Sequence, residues 1–296
     1  MKLNIVTVTS GWILQKIAER TKNGNTREDV TITVSHAADS SADVNYYADL
    51  QNCYLGQKTN CDIAYFTHAH ENDPVWAQSL LNSRNAHQNL DGIVSMNKRY
   101  TDMLVNLGFN SDKIETIVPG EMFPLKKIKV GIVSRGGYEG YGQFFMENFL
   151  KEYELSNYKF YFLGNGWEEG IRPIAEAKNI SCCFMPDDDY GIYPQFYSGI
   201  DFLLIPGLWT AGPMSMQEAL STGIPVIASD VGFVNYEFKA DYVYPPNDIG
   251  ALHKIFRDIE SPMLQRRTQV EHMSWKNYTN QLITFCERIQ NDITNK

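Results

Sequence analysis

Short runs of consecutive apolar residues alternate along this chain with longer stretches in which apolar positions recur every three or four residues. Residues 3–8 form an apolar run rich in β-branched side chains, closed by Thr9, Ser10 and Gly11; Trp12, Ile13, Ile17 and Ala18 then fall at helical spacing. Further strand-like runs are 30–34, 62–66, 92–95 and 114–118. Helices are predicted from Pro74 to Leu81 and along the stripe Tyr100, Met103, Leu104 and Leu107, which Gly108 ends. Residues 119–126 interrupt the pattern with two prolines and a glycine. It then restarts, with strands at 127–133, 159–163, 180–184, 201–205 and 225–228. The helices of this second series are predicted at 144–155, 167–177, 193–197, 214–221, 247–258 and 274–290. Short, continuously apolar strands separated by helices imply parallel sheets covered on both faces. The expected fold is therefore α/β, two Rossmann-like parallel-sheet domains facing a cleft, with the hinge at 119–126. Their strands' carboxyl ends would serve a shared ligand.

Composition narrows the class. With 43% hydrophobic and 21% charged residues, the 296-residue chain can build a substantial core. A net charge of −9 argues against a broad cationic face for phosphate backbones, though not against a local basic groove. Cys53, Cys61, Cys182, Cys183 and Cys286 are odd in number and include no C-x-x-C pair, which suits buried thiols in a reducing compartment. The amino terminus runs directly into a strand, and no apolar run reaches the roughly 18 residues of a membrane span. The expectation is a cytoplasmic protein without an integral membrane segment.

The chemistry concentrates in residues 201–230, which read strand, loop, helix, strand. Gly212 permits a tight entry and a close ligand approach, and Pro213 suits a first helical turn. Free N–H groups near Met214 and Ser215 make a site for anionic oxygens, aided by the helix dipole. Glu218, one turn on, can accept bonds from two neighbouring hydroxyls such as those of a ribose. Gly223 ends the helix and Pro225 opens the next strand.

Residues 212–220 with 222–227 resemble the donor-binding signature of retaining GT-B glycosyltransferases of family 4. In that family two glutamates are separated by seven intervening residues, the second on the nucleotide ribose and the first on the donor sugar. Glu218 matches the second, and Thr210 occupies the place of the first. Residues 131–136 resemble the first strand and loop of the donor domain, which implies that Arg135 binds the diphosphate beside Gly136. The family's partner lysine has no counterpart in 138–143. Residues 162–166 resemble the next strand and turn. Ser10, Gly11 and Trp12 resemble the glycine loop after the first strand, and His68 stands where the family places a histidine near the reacting carbon, with His70 beside it. Ser274 and Trp275 resemble the start of the segment that crosses back onto the first domain.

The resemblance implies a GT-B architecture: an acceptor domain over 1–122 completed by helix 275–296, and a nucleotide-sugar domain over 126–274. It further implies retaining, metal-independent transfer from a nucleotide-diphosphate sugar, a UDP sugar by expectation, used as co-substrate with no other cofactor. His68, Arg135 and Glu218 are the expected catalytic residues. Gly11, Arg135, Gly136, Thr210, Gly212, Pro213, Met214, Ser215 and Glu218 are expected on the donor, and Ser10, Trp12 and His70 on the acceptor. A saccharide of envelope polysaccharide is the favoured acceptor. A hydroxylated or modified DNA base, as for bacteriophage enzymes, is the alternative, and an inactive sugar-nucleotide-binding homologue the second. Asp187, Asp188 and Asp189 read as a solvated loop near the nucleotide, and no Cys/His set has zinc spacing. Tyr190, Tyr193, Phe196 and Tyr197 read as helix packing.

Overall fold

A computed structural model describes residues 1–7, 13–48, 58–67, 90–186, 189–209 and 212–295. The chain divides into two compact units, Met1–Phe123 with Thr268–Lys296, and Pro124–Arg267.

The first unit is built on β1 (Lys2–Val6), β2 (Thr31–Ser35), β3 (Val44–Tyr47), β4 (Asp62–Phe66), β5 (Gly92–Ser95) and β6 (Ile114–Thr116). They form one parallel sheet in the order β2-β1-β3-β4-β5-β6. Because successive strand side chains alternate faces, β4 sends Ile63 and Tyr65 to one core and Ala64 and Phe66 to the other. Helix α1 (Ile13–Asn23) covers the first face together with the chain's last helix. Helix α2 (Lys98–Asn106), N-capped by Asn97, packs its Leu104 on the second.

Strand β3 departs from the expected pattern, which passes from residues 30–34 directly to 62–66. Its run Val44-Asn45-Tyr46-Tyr47 is interrupted by an amide, yet Asn45 is fully buried. It accepts from Asn4 Nδ2 at 2.9 Å and donates to the Asp39 carbonyl at 3.0 Å and to Thr59 Oγ1 at 2.8 Å. A satisfied amide can enter a core that an unsatisfied one could not.

The second unit holds β7 (Ile128–Val133), α3 (Gln143–Glu152), β8 (Tyr158–Leu163), α4 (Glu168–Ala177), β9 (Ser181–Met185), α5 (Tyr193–Ser198), β10 (Phe202–Ile205), α6 (Met214–Thr222), β11 (Val226–Ser229), β12 (Tyr242–Tyr244) and α7 (Ile249–Thr268). Its strands are parallel in the order β12-β11-β10-β7-β8-β9. Numbered within the unit, this is the doubly wound order 3-2-1-4-5-6. One face, with Val130, Phe160 and Leu204, is covered by α3, α4 and α7; the other, with Leu203 and Ile205, by α5 and α6. Cys182 and Cys183 are half-buried rather than buried, because β9 is an edge strand. Cys53 lies outside the described residues, as does the helix expected at 74–81.

The last helix, α8 (Trp275–Thr294), belongs to the first unit and is N-capped by Ser274, whose Oγ accepts from the Asn277 N–H. Its Tyr278, Leu282, Phe285 and Cys286 complete the core over β1, β3 and β4. Among the described residues no helix is long and apolar enough to cross a membrane.

Candidate functional site

In the second unit the strand order reverses between β7 and β10, so the loops leaving their carboxyl ends turn to opposite faces and open a crevice. A cavity of about 370 Å³ lies there. Val133, Ser134 and Arg135 line it from the end of β7, and Leu204, Ile205, Pro206 and Gly207 from the end of β10. Gly212, Pro213, Met214, Ser215 and Glu218 line it from α6, with Tyr141, Tyr190 and Tyr193 between.

The loop that carries Arg135 is held through its backbone. The Gly136 N–H donates to the Asn165 carbonyl at 2.7 Å, and the Trp167 indole N–H to the Ser134 carbonyl at 2.7 Å. A Cβ on Gly136 would stand 2.3 Å from the Gly166 carbonyl carbon, and one on Gly164 (φ +133°) would stand 2.0 Å from the Ser134 oxygen. Glycine is therefore what lets the two loops lock. The guanidinium they present is exposed and in no ion pair among the described residues.

Helix α6 begins with Pro213 as its N-cap, not inside its first turn, and no side chain caps it. The Met216 N–H turns back to the Pro213 carbonyl at 2.9 Å. The N–H groups of Met214 and Ser215 precede the first intrahelical bond, and both residues line the cavity. Gly212 does something other than admit a ligand: a Cβ there would lie 2.0 Å from Phe233 Cε1, so its missing side chain makes room for that ring.

Glu218 is half-buried, and both its oxygens are engaged. Oε1 accepts from the Tyr190 hydroxyl and Oε2 from the Tyr197 hydroxyl, each at 2.7 Å. Burial first, and the bond to Glu218 second, push the Tyr197 phenol well above its ordinary range. Tyr190, whose largest influence is the Glu218 bond, is also raised. Both phenols therefore stay protonated and act as donors at neutral pH.

Thus Arg135, Gly212, Pro213, Met214, Ser215 and Glu218 meet around one cavity, and Gly136 holds the loop behind Arg135. Ser10, Gly11, Trp12, His68, His70 and Thr210 lie outside the described residues, as do Asp187 and Asp188. Asp189 accepts from the Gly191 N–H at 2.7 Å and caps the turn that carries Tyr190. Of the four aromatics read as packing, Tyr193, Phe196 and Tyr197 are buried, but Tyr190 is 67% exposed at the cavity wall. Tyr141 and the Pro206–Gly207 pair were also not singled out. Their position in the segment past a strand end is the signal that could have marked them. Among the described lining residues Arg135 is the one cation, and residues 138–142 contribute Tyr141 and no lysine.

The family described as Glycosyl transferases group 1 matches residues 113–272. Solved structures similar in fold include the lipopolysaccharide outer core galactosyltransferase WaaB, at 13% identity, TM-score 0.39, and coverage of 96% of this chain and 99% of that one. Anabaena HepE in complex with UDP-glucose follows at 11% identity and TM-score 0.39, both chains covered completely. Sucrose-phosphate synthase from Thermosynechococcus elongatus has 12% identity, TM-score 0.41, and coverage of 100% and 98%. No curated protein matches the chain.

Proposed function

The chain belongs to the Glycosyl transferases group 1 and is a glycosyltransferase; from that premise we propose that it moves a sugar from a nucleoside diphosphate, UDP first among them, to a saccharide hydroxyl with retention of configuration. One observation carries the reading: an arginine on a backbone-locked loop, an uncapped helix start and a carboxylate surround one cavity at the switch point of the second sheet.

In this reading the diphosphate lies between Arg135 and the N–H groups of Met214 and Ser215. A planar guanidinium and a helix N-terminus are both suited to phosphate oxygens. Glu218 receives the ribose hydroxyls. As the glycosidic bond breaks, negative charge grows on the leaving phosphate oxygen, and donors already aimed at it lower the barrier without reorganising. The acceptor hydroxyl attacks the same face of the sugar that the diphosphate leaves, and its proton passes to the departing phosphate oxygen. No metal ion enters the proposed scheme, and Arg135, the one arginine among the described lining residues, bears the neutralisation with the helix start.

A panel of UDP, GDP and ADP sugars read by thermal shift tests the donor half, since a ligand that binds only the folded state raises the melting temperature. Transfer from the stabilising donor to saccharide acceptors, with the anomeric product read by NMR, tests the rest. A panel in which no nucleotide sugar stabilises the protein refutes the proposal, and an inverted product refutes retention.

A further inference from the structure

Glu218 meets the cavity with each oxygen already holding one hydroxyl donor, and the two donors come from different elements. Tyr197, on α5, is 2% exposed and fixed by packing. Tyr190 is exposed, and its hydroxyl could be served by water. It reaches instead to Glu218, from a backbone turn tied by Asp189 and with its ring 4.4 Å from that of Tyr193. Tyr193 is 8% exposed, so the ring rests on a rigid base.

Resting on the donor reading above, we propose that Tyr190 is a positioning residue of the ribose clamp. It fixes the Glu218 carboxylate so that the protein selects ribonucleotide over 2′-deoxyribonucleotide donors. An ionised carboxylate offers about four lone-pair sites. Two tyrosine hydroxyls take one on each oxygen and leave one on each. The plane is then pinned at both ends, and the two remaining sites match two neighbouring hydroxyls. A sugar lacking the 2′-hydroxyl fills only one and leaves the other acceptor unpaired, which is the situation that discriminates strongly. A carboxylate free to rotate would turn to serve a single hydroxyl and lose that discrimination.

Calorimetry with UDP, GDP and ADP, each beside its 2′-deoxy counterpart, on wild type, Tyr190→Phe and Glu218→Gln decides the matter. Wild type is expected to prefer the ribose form of its best nucleotide by about tenfold or more. Loss of one hydrogen bond in Tyr190→Phe should weaken the ribose form by about 3- to 10-fold and the deoxy form by less than about twofold. The preference then collapses. In transfer assays the variant's donor KM rises while kcat holds within about twofold. A Tyr190→Phe protein of wild-type melting temperature that keeps the wild-type preference, or weakens both forms equally, overturns this inference alone, provided Glu218→Gln still loses affinity. Wild type that binds none of the six nucleotides overturns the donor reading and this inference with it.

Discussion

Gly212 and Phe233 occupy what would be one volume: a methyl group on the glycine would sit 2.0 Å from the phenylalanine ring's Cε1 and 2.1 Å from its Cδ1. The ring packs edge-on against Phe238 at 5.2 Å and so wedges the segment that enters α6. The helix start that faces the cavity is thereby set by a contact to a residue beyond the following strand.

Gly212→Ala is expected to destabilise the protein by about 1–3 kcal/mol, the usual range for overpacking, and to weaken donor binding by shifting α6. Phe233→Leu added to it should restore part of both losses. Chemical denaturation of the two single variants and the double one checks this, because neighbours that clash are non-additive. Strict additivity would contradict the wedge.

Glu218→Gln keeps the size of the side chain but removes its charge and turns one acceptor into a donor facing a tyrosine hydroxyl. Hydrogen bonds to a charged partner contribute about 1.5–3 kcal/mol, so kcat/KM should fall by about 10- to 100-fold. Circular dichroism should remain that of the wild type. An unchanged kcat/KM would remove Glu218 from the site.

Arg135→Ala should lower kcat by about 100-fold or more, as loss of a preorganised donor to a developing anion does. Arg135→Lys is expected to recover only part of this, since an ammonium cannot form the planar fork. The side chain is exposed and unpaired among the described residues, so melting temperatures should stay within about a degree of wild type. A large stability loss in Arg135→Ala would mean the residue serves the fold instead.

Alkaline pH should lower the stability of the protein in two stages. Burial, with Asp91 next in effect, pushes the Cys61 thiol up to about 12, while an unfolded thiol titrates near ~8.5. Burial likewise raises the phenols of Tyr46, Tyr65 and Tyr278 far above their unfolded value of about 10. In each case the folded state holds its proton to higher pH than the unfolded chain. The contribution is complete below the unfolded value and is lost as pH rises past it, by about 1.4 kcal/mol per pH unit for each group. Melting temperature is expected to be level from about pH 6 to 8, to fall from about 8.5, and to fall more steeply above 10. Cys61→Ala should make the first decline shallower, and an unaltered slope would count against its burial as the cause.

Local readings carried most of the elements. Strands 62–66 and 92–95 are legible because a strand covered on both faces carries a continuous apolar run, Ile63–Phe66 in the one and Ile93–Val94 in the other. Strand β3 was hidden by Asn45, whose burial depends on partners at positions 4, 39 and 59. Strand β12 has only three residues, and α7 runs on through Pro262 to Thr268, past the predicted end at 258. In the site, Arg135, Ser215 and Glu218 could be named from the sequence because strand end, turn and helix start are local signals. Tyr190 could not, because its hydroxyl meets a carboxylate 28 residues away.

The sequence by itself determined the alternation of elements, the free N–H groups near Met214 and Ser215, the glycine stop of α6, and the residue types offered to a phosphate and a ribose. Those follow from backbone sterics and periodicity within a few residues. Only the tertiary structure decided that β7 lies beside β10, that Phe233 fills the space over Gly212, and that two tyrosines hold Glu218. The physical reason is that periodicity tells a side chain which face to take, whereas the neighbour it meets there depends on how distant strands and helices pack into one dense core.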